Sequence, residues 1–253
     1  MTSTAARCNS ARTLYLGGAT VKQVACSDAA LVITVPNSSV RRYPVARLSR
    51  IVCSAQVNWQ GAALALCMRS GIPIVWADAH SQLLGICYSQ HQRQQAFSQA
   101  LELLLEGENG LSQYTHWLRS RRMDMLMDWA RTTALDVTPA RWESLKRSWV
   151  YHNELAVHLS LQIRTYCQAW VAQRLIHHQI NPVYWGVQAE CVDIESDMTH
   201  LVWAQINLYG GNWADQVDAE AQSIYIFEQW SQAHAEIVDL HLLSLQRIAN
   251  KAA

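Results

Sequence analysis

An α+β fold is what the amino-acid sequence predicts, with a β-rich domain over residues 1–89 and a mostly α-helical domain over residues 90–253. Three observations carry this. The first third of the chain alternates short runs rich in β-branched residues with Gly, Pro, Asn and Ser turns. From Gln90 onward apolar residues recur at helical spacing instead. The chain has 253 residues, half of them hydrophobic, enough for two modest domains with real cores and incompatible with global disorder.

In the first domain, Leu14–Leu16 reads as a strand before the Gly17-Gly18 turn. Thr20–Ala25 and Ala30–Val35 follow as strands joined at Ser27-Asp28. Pro36–Ser39 is a turn, and Val40–Pro44 and Arg50–Cys53 are further short strands. Asn58–Ser70 carries Ala62, Ala63, Leu66 and Cys67 at helical spacing and ends at Gly71, a natural position just past a helix. Ile72–Trp76 is a buried-type strand, and Leu83–Tyr88 is the last strand after the turn Asp78–Ser81. In the second domain, helices are expected at Gln92–Glu106 and Leu111–Thr133. A third starts at Pro139, capped by Thr138, and runs to Ile180, where Asn181-Pro182 stops it. Thr199–Leu208 is a short helix, and Trp213–Asn250 a final helix or pair.

Zero net charge hides an asymmetry. Residues 1–174 sum to +8 and residues 175–253 to −8. This suits a protein that meets a polyanion on one face, or one whose acidic end docks on its own basic body; both readings stay open. Phosphate contacts are expected from Arg119, Arg121, Arg122, Lys146, Arg147, Arg164 and Arg174 on the presumed helices. The seven Cys form no CxxC pair and read as reduced thiols. No apolar run approaches the roughly 18 residues of a membrane helix, and Met1–Arg12 is polar. A cytoplasmic location without a membrane role is expected.

The ten His show no HExxH, and His177-His178 diverge on a helix, so each reads as a surface or satisfied core residue. Glu190, Asp193, Glu195 and Asp197 have carboxylates that suit a hard cation, but their spacing reads as a solvated loop. The Trp side chains at 117, 129, 142, 149 and 170 are expected mostly in the core. No nucleotide-binding glycine motif and no nucleophile–base pair is present.

Four segments together resemble a known family: Arg42–Val52, Val57–Leu66, Ser70–Trp76 and Gly85. Weaker matches are Arg93 and Gln95, Leu118–Arg131, Asn153 and Ile180–Gly186. The pattern is similar to the CRISPR adaptation integrase, the first CRISPR-associated protein, over most of residues 13–210. The resemblance implies a β-rich dimerisation domain followed by a helical domain that handles DNA. It also implies metal-dependent cutting and joining of DNA through a Glu, a His and an Asp, the metal neutralising charge on the phosphate. The family's His position falls on Ala189 and its Asp position on Ala204, with Asn207 at the following Glu. The glutamate motif is absent; Gly107-Glu108-Asn109-Gly110 comes too early. Alanine offers no lone pair to a metal. The expectation is therefore a catalytically degenerate homologue without catalytic residues or cofactor, acting as a DNA-binding or structural subunit in spacer acquisition. One alternative is an active enzyme holding Mg2+ or Mn2+ on Glu143, Glu190 and Asp197; another is a scaffold without a DNA role. Expected partners are DNA, a second copy of the chain, and the second CRISPR-associated protein or a catalytic paralogue.

Overall fold

The computed structural model describes residues 11–17, 21, 23–36, 38–88, 96–132, 157–180, 192–209 and 220–252. The chain divides into two compact units, residues 1–89 and 90–253.

The first unit holds β1 (Arg12–Leu16), β2 (Gln23–Ser27), β3 (Ala30–Thr34), β4 (Arg41–Pro44), β5 (Leu48–Ser54), β6 (Asn58–Trp59), α1 (Gly61–Arg69), β7 (Ile74–Ala77) and β8 (Leu83–Cys87). Among the described residues these strands form two sheets, ordered β1-β5-β7-β8 and β4-β3-β2-β6. Parallel pairing joins β1, β5 and β7, and β8 closes that sheet antiparallel. β2, β3 and β4 form an antiparallel meander. Its first hairpin turns at Asp28, whose φ of 54° is a left-handed conformation that Asp tolerates.

β5 lies between two parallel partners and buries Ile51, Val52 and Cys53 in an unbroken run, as a strand covered on both faces must. Leu14, Val24, Leu31, Ile33, Ile51, Ala63, Cys67 and Ile74 meet in one core that joins both sheets and α1. Burial pushes the Cys53 and Cys67 thiols up to about 12, so neither is a nucleophile at neutral pH. Gly71, with φ 67°, ends the α1 segment where a side chain would be strained. The helix expected from Asn58 starts at Gly61 instead. Asn58 and Trp59 form β6, held in parallel beside Gln23 and Val24, and the Gln60 N–H donates to the Val24 carbonyl at 2.9 Å.

The second unit holds α2 (Ala96–Glu106), α3 (Gly110–Thr132), α4 (Val157–His177), α5 (Ile194–Tyr209), α6 (Glu220–Ala233) and α7 (Ile237–Ala252). α4 packs on α5 and α6, α2 on α7, and α3 on α5 and α7. Gly110 is required by close approach: a Cβ there would lie 1.8 Å from the Leu104 carbonyl oxygen. The expected C-terminal helix is a pair broken at 234–236. Tyr166 and Trp170 of α4 pack edge-on or tilted against Phe227 and Trp230 of α6. Trp117 is buried and donates its indole N–H to Ser244 Oγ at 3.2 Å. These Trp serve the core; Trp142 and Trp149 lie outside the described residues. No helix among the described residues is long and apolar enough to cross a membrane.

Candidate functional site

The polar centre of the second unit lies at the start of α5. The sequence pattern reads Asp193–Asp197 as solvated loop, and the structure corrects this. Asp193 caps the helix: its Oδ1 accepts the Ser196 N–H at 2.8 Å. Ile194, Met198, Leu201 and Val202 then form the buried stripe, so α5 begins a turn earlier than Thr199.

This register turns the carboxylates inward. Glu195 is buried and accepts from Thr199 Oγ1 at 3.2 Å. Burial, with Asp193 adding like charge, raises its carboxyl to about 7, while Thr199 and Arg164 pull the other way. Asp197 accepts the Tyr114 hydroxyl of α3 at 2.9 Å and meets Arg122 of the same helix at 3.7 Å. Burial still leaves its carboxyl above the ordinary value. Tyr114 is itself held in the phenol form by burial and by Asp197. On the next turn, His200 Nε2 faces Arg164 of α4 at 3.1 Å, the imidazole accepting. Partial burial, Arg164 and Arg122 hold the ring below its ordinary value, hence neutral.

The sequence-predicted phosphate contacts have divergent fates. Arg122 lies in this cluster and Arg164 touches it through His200. Arg121 pairs with Asp124 on its own helix. Arg174 is drawn inward, donating to Asp239 and the Ala235 carbonyl, while His178 shares Asp239 at 2.9 Å. Its charge is therefore spent in fastening α4 to α7. Arg119 is exposed. Lys146 and Arg147 lie outside the described residues, as do Glu143, Ala189 and Glu190. Ala204 is 3% exposed, on the core-facing side of α5 and apart from the carboxylates at its start. Asp197 is the one fallback ligand that the structure describes in the cluster. Tyr114, Thr199 and His200 are partners that sequence spacing did not single out.

The family model of the CRISPR associated protein Cas1 matches residues 19–131, from the β-rich unit into α3. The fold agrees along nearly the whole chain with a Cas1 protein from Thermotoga maritima, at 12% identity and TM-score 0.73, covering 95% of this chain and 97% of that one. The chain has the fold of Cas1 proteins. A second Cas1 structure, TtCas1 in complex with DNA, matches at 13% identity and TM-score 0.65, covering 94% of this chain and 91% of that one. A casposase bound to integration product matches at 10% identity and TM-score 0.64, covering 95% and 90%. No curated protein matches the sequence significantly.

The resemblance carried by the sequence implies a divalent cation held by a Glu, a His and an Asp. A cation of that kind needs several ionised oxygens turned toward one point. Among the described residues no three His, Cys, Asp or Glu side chains converge in that way. Asp193 is turned to its helix N-terminus, Asp197 is taken by Tyr114 and Arg122, and Glu195 holds its proton up to about neutral pH. The described donors do not fit such an ion.

Proposed function

We propose that this chain is a member of the Cas1 family and a DNA-binding subunit of the CRISPR adaptation apparatus that has lost metal-dependent cutting and joining. The observation that carries the reading is the donor set at the start of α5, where each carboxylate is committed to a partner within the protein. Ala189 and Ala204 at the positions that resemble the family's His and Asp support it. DNA as partner is supported by the shared fold with a Cas1–DNA complex and a casposase bound to integration product. The reading includes a second copy of the chain, the small second CRISPR-associated protein or a catalytic paralogue as protein partners, in the cytoplasm.

The test is incubation of the purified chain with Mn2+ and labelled branched DNA, alongside duplex binding across a salt series. The expected result is no cleavage or joining above a metal-free control, with DNA affinity that falls steeply as salt rises. Mn2+-dependent cutting abolished by Glu190→Ala or Asp197→Ala would overturn the reading and make Glu143, Glu190 and Asp197 the ligands. No DNA binding at any salt would leave a protein scaffold.

A further inference from the structure

The cysteines lie apart in the sequence, yet the fold of the β-rich unit gathers four of them. Cys53 of β5 and Cys67 of α1 are buried in the core that joins both sheets, and Cys26 of β2 and Cys87 of β8 pack against it half-buried. The strand register explains the convergence. Cys87 lies opposite Ile74 of β7, and Ile74 opposite Ile51 of β5. Partners across a ladder point the same way, and residues two apart along a strand share a face. Cys87 and Cys53 therefore look into the core that Ile51 and Ile74 fill. Cys26 shares the face of fully buried Val24 on β2, the strand on which α1 packs. Cys67 stands one turn after Ala63 on the buried stripe of α1.

A fifth sulfur touches this group. Cys87 Sγ lies 3.3 Å from Met68 Sδ, which joins the edge strand β8 to the last turn of α1. Met68 is also the chain neighbour of Cys67. Burial raises the Cys87 thiol, and like charge from Cys87 and Cys26 adds to burial at Cys67, so Cys67 stands near the pair. Carboxylates do not compete for an ion here. The two acidic residues of 1–89 are Asp28 and Asp78. Asp28 sits in the β2–β3 turn, and Asp78 accepts the His80 and Gln82 N–H groups at 2.8 Å.

We propose that Cys87 and Met68, backed by Cys67, form a binding site for a soft monovalent metal ion, copper(I). Thiolate and thioether sulfur select copper(I) over hard ions. Zinc does not fit, because it takes four donors and no three His, Cys, Asp or Glu side chains converge among the described residues. An ion between the two sulfurs needs them farther apart than they are in the empty site. Met68 is the side chain that can yield, with three rotatable bonds and a polarizable sulfur. Binding involves no oxidation or reduction. The Cys87 thiol releases its proton to solvent, and lone pairs of Sγ and of Met68 Sδ bond to the ion. Burial holds that proton on the free thiol, so uptake strengthens as pH rises. The bound ion fastens β8, an edge strand without a charged residue, to α1. The site stands apart from the DNA reading and does not depend on it.

The experiment titrates the full, reduced chain under nitrogen with copper(I) against a chromogenic copper(I) chelator. Silver(I) serves as a redox-inert stand-in and Zn2+ as a comparison, with thermal unfolding followed alongside. The chain is expected to withdraw one equivalent of copper(I) or silver(I) at this site and to gain in Tm. Cys87→Ser should weaken uptake by at least about tenfold, the least that even an outer-shell loss produces. Met68→Leu, a change that conserves volume and spares the fold, should weaken it measurably, and Met68→Cys should restore it. A Cys8→Ala/Cys191→Ala variant should keep the equivalent. Wild-type chain that takes no copper(I) from the chelator would overturn the proposal. So would uptake that is unchanged in Cys87→Ser and Met68→Leu, or that disappears in Cys8→Ala/Cys191→Ala alone. Zn2+ held as tightly as copper(I) would overturn the assignment to a soft ion. Should Cys87→Ser fail to fold, Met68→Leu and its Cys counterpart decide the matter.

Discussion

In the helical unit four of the described arginines, Arg121, Arg122, Arg131 and Arg174, face a carboxylate, whereas none of the five exposed arginines of the β-rich unit has an ion-pair partner among the described residues. The local supply of carboxylates explains the difference. Residues 90–253 carry 18 acidic residues against 12 basic, a net of −6, and residues 1–89 a net of +6. The lesson is that arginine along a helix is no measure of positive surface. Arg174, a phosphate candidate by sequence, holds two helices together, while Arg41 and Arg42, which attract no notice as a dipeptide, are open to solvent.

The largest expected effect concerns the paired side of this contrast. Asp239→Ala strips both Arg174 and His178 of their partner in a partly buried site, and should cost about 2–3 kcal/mol in urea unfolding. Arg41→Gln should stay within about 0.5 kcal/mol. Equal losses would erase the distinction between spent and open arginines.

A surplus of carboxylates predicts that removing one should help. Glu195 holds its proton up to about 7 in the folded chain, above the ordinary 4.5. Its contribution to stability is thus complete below the ordinary value and is lost as pH rises through about 7. Glu195→Gln should gain about 2 kcal/mol over wild type at pH 8 and nothing at pH 4, read from urea midpoints. His241 works in the opposite direction. Burial, with Arg121 beside it, lowers the ring to about 4. Its stabilising effect is present above the ordinary 6.5 and is lost as pH falls toward 4. His241→Gln should flatten that acid limb. A stability profile with neither limb would show that these two side chains are not buried as described.

Smaller again is the indole bond of Trp117. Ser244→Ala removes its acceptor and should cost about 1 kcal/mol, with a shift in Trp fluorescence. Smallest is the Arg131–Asp128 pair, both side chains well exposed: Arg131→Gln should change stability by less than about 0.5 kcal/mol.

Much of the β-rich unit was legible because its signals are local. Ser27-Asp28 turns, Gly71 ends a helix, and the strands between them alternate or run apolar according to how many faces they bury. β6 escaped because two residues held by a distant strand leave no periodic trace. The start of α5 was missed for a different reason. Alternating carboxylates at 193, 195 and 197 imitate a loop, although Asp193 ahead of Ile194, Met198 and Leu201 is a cap before a helical stripe. Asp197 was foreseen as a ligand candidate, but its partners Tyr114 and Arg122 stand on another helix, far back in the chain. Pairings such as Arg174 with Asp239 are set by helix packing, and no spacing rule reaches across it.

The parallel pairing of Arg12–Leu16 with Leu48–Cys53 has a consequence for how the chain is made. During synthesis the first strand emerges long before its neighbour, and the β2–β4 meander can close in the interval. Leu14 and Leu16 stay wet until β5 has left the ribosome, so this apolar segment waits more than thirty residues for its cover. Such delayed, distant closure slows folding and exposes newborn chains to sticking. Extending the nascent chain past Ser54 should be the step at which it gains resistance to protease.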